Sequence, residues 1–141
     1  VADRESALVA LSTLLGAIPI VGGVSRQFEA VDEIPATALP YIIIEDDGAE
    51  TITMKTGDFA DVEIDVSVIG YVQSALSLST SLNELDVAIK TAVAGDRTLG
   101  GIVQHVSIEP TQERSGTQFK PYGWFIRPLK IMYEGRYSLG L

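Results

Sequence analysis

The stretch Asp61-Val62-Glu63-Ile64-Asp65-Val66-Ser67-Val68-Ile69-Gly70-Tyr71-Val72 alternates apolar and polar residues with a period of two. In an extended chain successive side chains point to opposite faces, so Val62, Ile64, Val66 and Val68 share one face and Asp61, Glu63, Asp65 and Ser67 the other. The pattern predicts a strand with one buried face and one acidic, solvated face. A second strand precedes it. Leu39-Pro40-Tyr41-Ile42-Ile43-Ile44-Glu45 is a continuous β-branched and aromatic run. It reads as a strand buried on both faces that ends at the turn signal Asp46-Asp47-Gly48. Between the two, Ala49 to Asp61 alternates weakly and contains Gly57-Asp58, which fits a long exposed hairpin or a mobile loop.

Outward from this pair the periodicity becomes helical. From Asp3 to about Ala17 the residues Ala7, Leu8, Leu11, Leu14, Leu15 and Ile18 recur at spacings of three and four, with Asp3 as N-cap and Gly16 and Pro19 as stops. Ile20 to Phe28 reads as a short strand bent at Gly22-Gly23, and Glu29 to Leu39 as a loop framed by Pro35 and Pro40. Beyond a Ser-rich connection, Leu82, Leu85, Ala88, Ile89, Ala92 and Val93 define a second amphipathic helix from about Ser79 to Ala94. Ser81 and Glu84 have capping-box spacing, and Gly95 sits where a C′ stop is expected.

Asp96-Arg97-Thr98-Leu99-Gly100-Gly101 is a tight connection into a strand from Ile102 to Thr111, with Val106 and Ile108 facing one way and His105, Ser107 and Glu109 the other. Gln112 to Pro121 is polar and reads as a hairpin loop. The last strand, Tyr122 to Tyr133, puts Phe125, Leu129, Ile131 and Tyr133 on one face. Pro128 lacks a ladder donor and argues for an edge position or a bulge. The tail from Glu134 to Leu141 is expected to fray or to dock on a partner. Strands on both sides of a central helix predict an α+β fold, with two helices on one face of a mainly antiparallel sheet. At 141 residues this is one domain, 1–141.

Composition narrows function. Nineteen Asp and Glu against ten Lys and Arg give a net charge of −9, which opposes binding of nucleic acid through counterion release. At 46% hydrophobic residues the chain carries enough apolar surface to fold. The uncharged stretch Ser6 to Ser25 is interrupted by Gly16, Pro19 and Gly22-Gly23 and preceded by Asp3, Arg4 and Glu5, so neither a membrane span nor a signal peptide is expected. Val1 in place of Met predicts removal of an initiator or a short tag.

The sequence offers little catalytic chemistry. The absence of cysteine removes disulfides, thiolate metal sites and a cysteine nucleophile. His105 is the single imidazole and has no Cys partner, so it reads as a surface or interface residue. Glu45, Asp46 and Asp47 lack EF-hand spacing and fit a solvated strand end. Glu63 and Asp65, roughly 7 Å apart on one strand face, fit a polar outer face better than a glycosidase pair. Gly22-Gly23 and Gly100-Gly101 match no phosphate loop and read as backbone-geometry positions. Tyr122, Trp124 and Phe125 beside Lys120 and Arg127 have the makings of a base-stacking surface, but net charge opposes it and favours core or subunit packing. No catalytic residue, cofactor or metal site is expected, and the protein is not read as an enzyme.

The order of particular residues adds a resemblance. The Leu39-Pro40-Tyr41-Ile42-Ile43-Ile44 run, the strand from Val62 to Tyr71, the helix with Leu82-Asn83-Glu84-Leu85, the Asp96 to Gly101 connection and the closing Trp124-Phe125-Ile126-Arg127-Pro128-Leu129-Lys130-Ile131-Met132-Tyr133 together resemble tail terminator proteins of long-tailed bacteriophages. It spans about Ala7 to Tyr133, and prophages and gene-transfer particles use similar parts. The resemblance implies an α+β subunit of a homo-hexameric ring that caps the tail tube at the head-proximal end of the virion after assembly in the host cytoplasm. Its implied partners are further copies of itself, the tail tube protein and the head or neck connector proteins, with DNA passing through the lumen unbound and no membrane involved.

On this reading Asp46, Asp47, Asp61, Glu63 and Asp65 are candidates to line the lumen, where like charge keeps DNA from sticking. Candidate interface residues are Met54 and Phe59 in the 48–60 segment, Arg97, Phe119 in the 112–121 loop, and Tyr137 in the tail. The alternatives are another head–tail connector or tail-completion protein, a small acidic cation-binding or hydrolase module using Glu45, Asp46, Asp47, Glu63 or Asp65, and a generic dimerisation domain.

Overall fold

The computed structural model describes residues 3–26, 34–73, 78–110, 112–119 and 122–139. In chain order the elements are α1 (Arg4–Gly16), β1 (Gly23–Ser25), β2 (Tyr41–Met54), β3 (Phe59–Gln73), α2 (Leu78–Gly95), β4 (His105–Ile108), β5 (Glu113–Phe119) and β6 (Tyr122–Arg136), with 3-10 turns at Ala36–Ala38 and Tyr137–Leu139. The strands form one sheet in the order β1-β2-β3-β6-β4, with β5 also paired to β6. β1 runs parallel to β2 and the other pairings are antiparallel. Both helices pack on one face, which makes the fold α+β as expected.

The helix-side core follows from the two periodicities. Ala7, Leu8, Leu11 and Leu15 of α1 and Leu82, Leu85, Ile89 and Val93 of α2 join Val62, Ile64, Val66 and Val68 of β3 and Phe125, Leu129, Ile131 and Tyr133 of β6 in a single buried cluster. At the start of α1 the Asp3 carboxylate accepts the Ser6 N–H at 2.7 Å, and Ser6 Oγ accepts the Asp3 N–H at 3.1 Å, a reciprocal cap. Asp3→Ala is expected to cost about 1 kcal/mol, read as a lower denaturant midpoint at unchanged slope.

β2 is buried on both faces where the sequence required it. Ile42 and Ile44 join the helix-side cluster, while Ile43 lies on the other face with Ile34, Ile69 and Tyr71. β2 does not end at Asp46-Asp47-Gly48. Those residues form a bulge, because Asp46 pairs with Val66 and Glu50 with Ile64, four residues on β2 spanning two on β3. Gly48 takes a φ of +77° there, a conformation glycine adopts without a Cβ clash, and its N–H donates to Asp46 Oδ1 at 3.0 Å. The strand then continues to Met54, so the segment after Gly48 is the long exposed hairpin and not a mobile loop.

Other boundaries move for identifiable reasons. α2 starts at Leu78, whose side chain packs over Gly123, so Ser81 lies inside the helix and is not its cap. Gly95 ends α2 without a left-handed φ, the Asp96 N–H donating to Val93 O at 3.2 Å. Leu99, Gly100 and Gly101 have φ of +49°, +71° and +88°, and this curl delays β4 to His105. The polar stretch after Gln112 is the strand β5, which among the described residues pairs only with β6, with 120 and 121 outside them. Likewise the short strand expected to Phe28 is described only as Gly23–Ser25, and 27–33 and 74–77 lie outside.

Pro128 is not on an edge strand, since β6 pairs with β3 along its whole length. It occupies the point where the other side of β6 changes partner, between the Glu113–Ile126 pair of β5 and the Ile108–Leu129 pair of β4. Pro128 O accepts the Glu109 N–H at 3.0 Å. A strand residue turns N–H and C=O to the same side, so the missing donor falls in that gap.

Candidate functional site

The sheet face away from the helices is built by the odd phase of β3. Asp61 stands between Thr53 and Glu134, Glu63 between Thr51 and Met132, and Ser67 between Glu45 and Pro128, while Asp65 pairs with Lys130. Asp47 joins this face by accepting the Ser67 hydroxyl at 2.9 Å. Lys130 Nζ lies 3.1 Å from Glu63 and 4.0 Å from Asp65, and Lys55 Nζ lies 2.9 Å from Glu134 and 3.5 Å from Asp61. Hydrogen bonds to Glu63 and to Glu134 raise the pKa of Lys130 and Lys55 above the ordinary lysine value. Glu45, Asp47, Asp61, Glu63, Asp65, Glu109 and Glu134 against Lys55, Lys130 and Arg136 leave the face net negative. His105 borders it opposite Met132, half-buried.

Asp46 goes elsewhere. Its cross-strand partner is Val66, so it lies on the helix side, 2.5 Å from Arg4 Nη1, with Glu50 Oε2 2.9 Å from Arg4 Nη2. Burial pushes the Asp46 pKa up, but the Arg4 and Gly48 N–H bonds outweigh it and hold the carboxyl below its ordinary value. Of the five candidate lumen carboxylates, four share one face and the fifth does not.

Three of the five candidate interface residues meet at the tip of the β2–β3 hairpin. Met54 is 67% exposed, and the Tyr137 hydroxyl contacts its sulfur. The Arg136 guanidinium sits 4.7 Å from the centroid of Phe59. The Tyr137 and Ser138 N–H groups donate to Asp58 O and Oδ1 at 3.0 and 2.9 Å, and the Ser138 hydroxyl bonds the same carboxylate. These Ser138 bonds hold the Asp58 pKa below its ordinary value. The tail to Leu139 docks on its own hairpin; 140 and 141 lie outside the described residues. Arg97 is exposed at the far edge of the sheet, beside Val93, Ala94, Val106, Ser107 and Ile108. Phe119 pairs through its backbone with Tyr122, and its side chain lies outside the described residues.

A buried ion pair is absent from the sequence-based candidates. Arg127 Nε and Nη2 donate to Asp86 Oδ1 and Oδ2 at 3.1 and 3.0 Å, and Nη1 donates to Glu109 O at 3.2 Å. Arg127 therefore belongs to the helix-side interior and not to a base-stacking surface. Its signal is in the sequence: Asp86 falls on the apolar stripe between Leu82 and Ile89, and Arg127 in the buried phase between Phe125 and Leu129. Among the described residues no group of three or more His, Asp or Glu is placed to hold a metal ion, and no helix is long and apolar enough to cross a membrane.

No family model matches the sequence, and no curated protein matches it. Among solved structures, a chain in the virion of a native gene transfer agent (GTA) particle is similar, with 15% identity and a TM-score of 0.42 over 89% of this chain and 84% of that one.

Proposed function

We propose that this protein is a structural component of a phage-like virion, and specifically a tail terminator that caps the tail tube as a hexameric ring, ends tube polymerisation and presents the docking surface for the head or neck. It acts by assembly and turns over no substrate. The observation that carries this reading is the helix-free, net-negative sheet face. Turned inward in a ring, it sets carboxylates against the phosphates of passing DNA, and repulsion acting over a Debye length of about 8 Å keeps the polymer sliding. The residue runs that resemble tail terminators supply β2, β3 and β6, which build that face, together with α2 on the opposite side and the α2–β4 connection. The hairpin tip with Met54, Phe59 and Tyr137 then offers an apolar contact to the tube protein or to a neighbouring copy.

Native mass spectrometry over a concentration series is expected to give six times the protomer mass, alone or on addition of the tube protein. A strict two-fold mass overturns the ring. Deleting the gene from its particle is expected to give overlong or irregular tubes; normal tubes without heads would assign the protein to head joining instead.

A further inference from the structure

The two edges of the sheet differ in a way that a head-to-tail contact can use. β1 covers the outer edge of β2 only at Tyr41–Ile43, and from Glu45 to Met54 every residue of β2 is exposed with no strand beyond it among the described residues. On the helix side of this open edge, Asp46 and Glu50 share the guanidinium of Arg4, and Arg26, whose charge also reaches Asp46, is bound to Glu5, so two cations face three carboxylates and the cluster keeps one net negative charge. At the opposite edge stands Arg97, exposed and without an ion pair among the described residues, on the connection that flanks β4.

The registers put these groups at one height. Arg97 O accepts the Val106 N–H at 2.9 Å; Val106 pairs with Ile131, Ile131 with Ile64, and Ile64 with Glu50. A rotation axis along the strands preserves that height from one copy to the next, and it brings β4 against the neighbour's β2 antiparallel. Arg97 also lies on the helix side, beside Val93 and Ala94 of α2, the side on which Arg4 holds Glu50.

We propose that Arg97 of one copy docks on the open β2 edge of a second copy and completes the Asp46–Arg4–Glu50 cluster as the cation it lacks. The inference rests on the ring reading and names the contact that propagates it. Contact is through side chains, because the outward N–H of Val106 is already taken by Arg97 O. Such a contact joins two different surfaces, so it closes only by rotation and never as a two-fold pair.

The test is a charge swap read by native mass. Arg97→Glu and Glu50→Arg are each expected to raise the protomer concentration needed for assembly by about tenfold or more, and the two together to restore it, with unfolding midpoints showing that each variant folds. The chain has no cysteine, so a mixture of Arg97→Cys and Glu50→Cys proteins is expected to form disulfide-linked pairs that neither forms alone. A six-fold wild-type mass that Arg97→Glu leaves unchanged, with no mixed cross-link, overturns this contact and leaves the ring standing. Mixed cross-links without a six-fold mass support the contact and remove the closed ring. A wild-type monomer at every concentration, with and without the tube protein, and no cross-link overturns both.

Discussion

Asp86→Ala is expected to cost about 3–5 kcal/mol, the scale for stripping one partner from a buried ion pair. The side chains of Asp86 and Arg127 are 7% and 9% exposed, so Arg127 would remain charged in the core with only Glu109 O as acceptor. Lys90, 3.1 Å from the same carboxylate and at the helix surface, cannot replace that acceptor. Arg127→Met should cost less, because Lys90 still pairs with the Asp86 carboxylate, whereas the double variant Asp86→Leu with Arg127→Met should recover most of the Asp86→Ala loss, because neither charge is then buried. Urea unfolding checks all three, and a double variant no more stable than the singles would show that packing and not charge sets the cost.

The same pair has a pH signature. Burial pushes the Asp86 pKa up, but the Arg127 and Lys90 bonds outweigh it and hold it below the ordinary 3.8. The folded pKa is therefore the lower one, so the stabilisation is complete above the unfolded value and is lost as pH falls through the folded value. Acid unfolding below about pH 4 should be steeper in the wild type than in Asp86→Asn.

The second large effect is expected from a single methyl group. A Cβ added at Gly22 would lie 2.0 Å from the carbonyl oxygen of Ala38 and 2.5 Å from its carbon, and the Gly22 N–H donates to Pro40 O at 2.7 Å. Backbone meets backbone, so no flexible side chain can yield. Gly22→Ala should cost about 3 kcal/mol, at the upper end for overpacking, by lifting the segment with Ile34, Ala38 and Leu39 from the cluster of Ile43, Ile69 and Tyr71. Trp124, the single tryptophan, packs on that cluster, so its emission should shift to the red along with the lower midpoint. A variant with wild-type midpoint and emission would remove this close approach from the account.

How much of this was legible in the sequence depended on the range of the interaction. Period two in β3, period 3.6 in the helices and the doubly buried Ile42–Ile44 run are local facts, and each element formed where its pattern put it. Asp46-Asp47-Gly48 was misread because a turn and a bulge use the same residues; the distinction lies with Arg4, 42 positions away. The docking of Ser138 on Asp58 spans 80 positions and leaves no periodic trace. That Pro128 lacks a ladder donor is plain from its residue type, but that the missing donor falls inside the sheet and not on an edge depends on where β5 hands over to β4. For the candidate site, alternation found the acidic face and not the side on which Asp46 would fall. Asp86 and Arg127 were legible in principle, two opposite charges each in the buried phase of its own element, but only to a reader pairing α2 with β6.

The central ladder joins β3 to β6 along fifteen-residue strands, and β6 follows the other strands in chain order among the described residues. On the ribosome, α1, the β2–β3 hairpin and α2 all emerge before the strand that closes the core. Until then the inner edge of β3 waits without β6, and the chain separation between the two strands, which holds α2, β4 and β5, delays their meeting. Closure of the core therefore waits for Tyr122–Arg136, and a nascent chain stalled before Tyr122 would present an unpaired strand to its neighbours and aggregate.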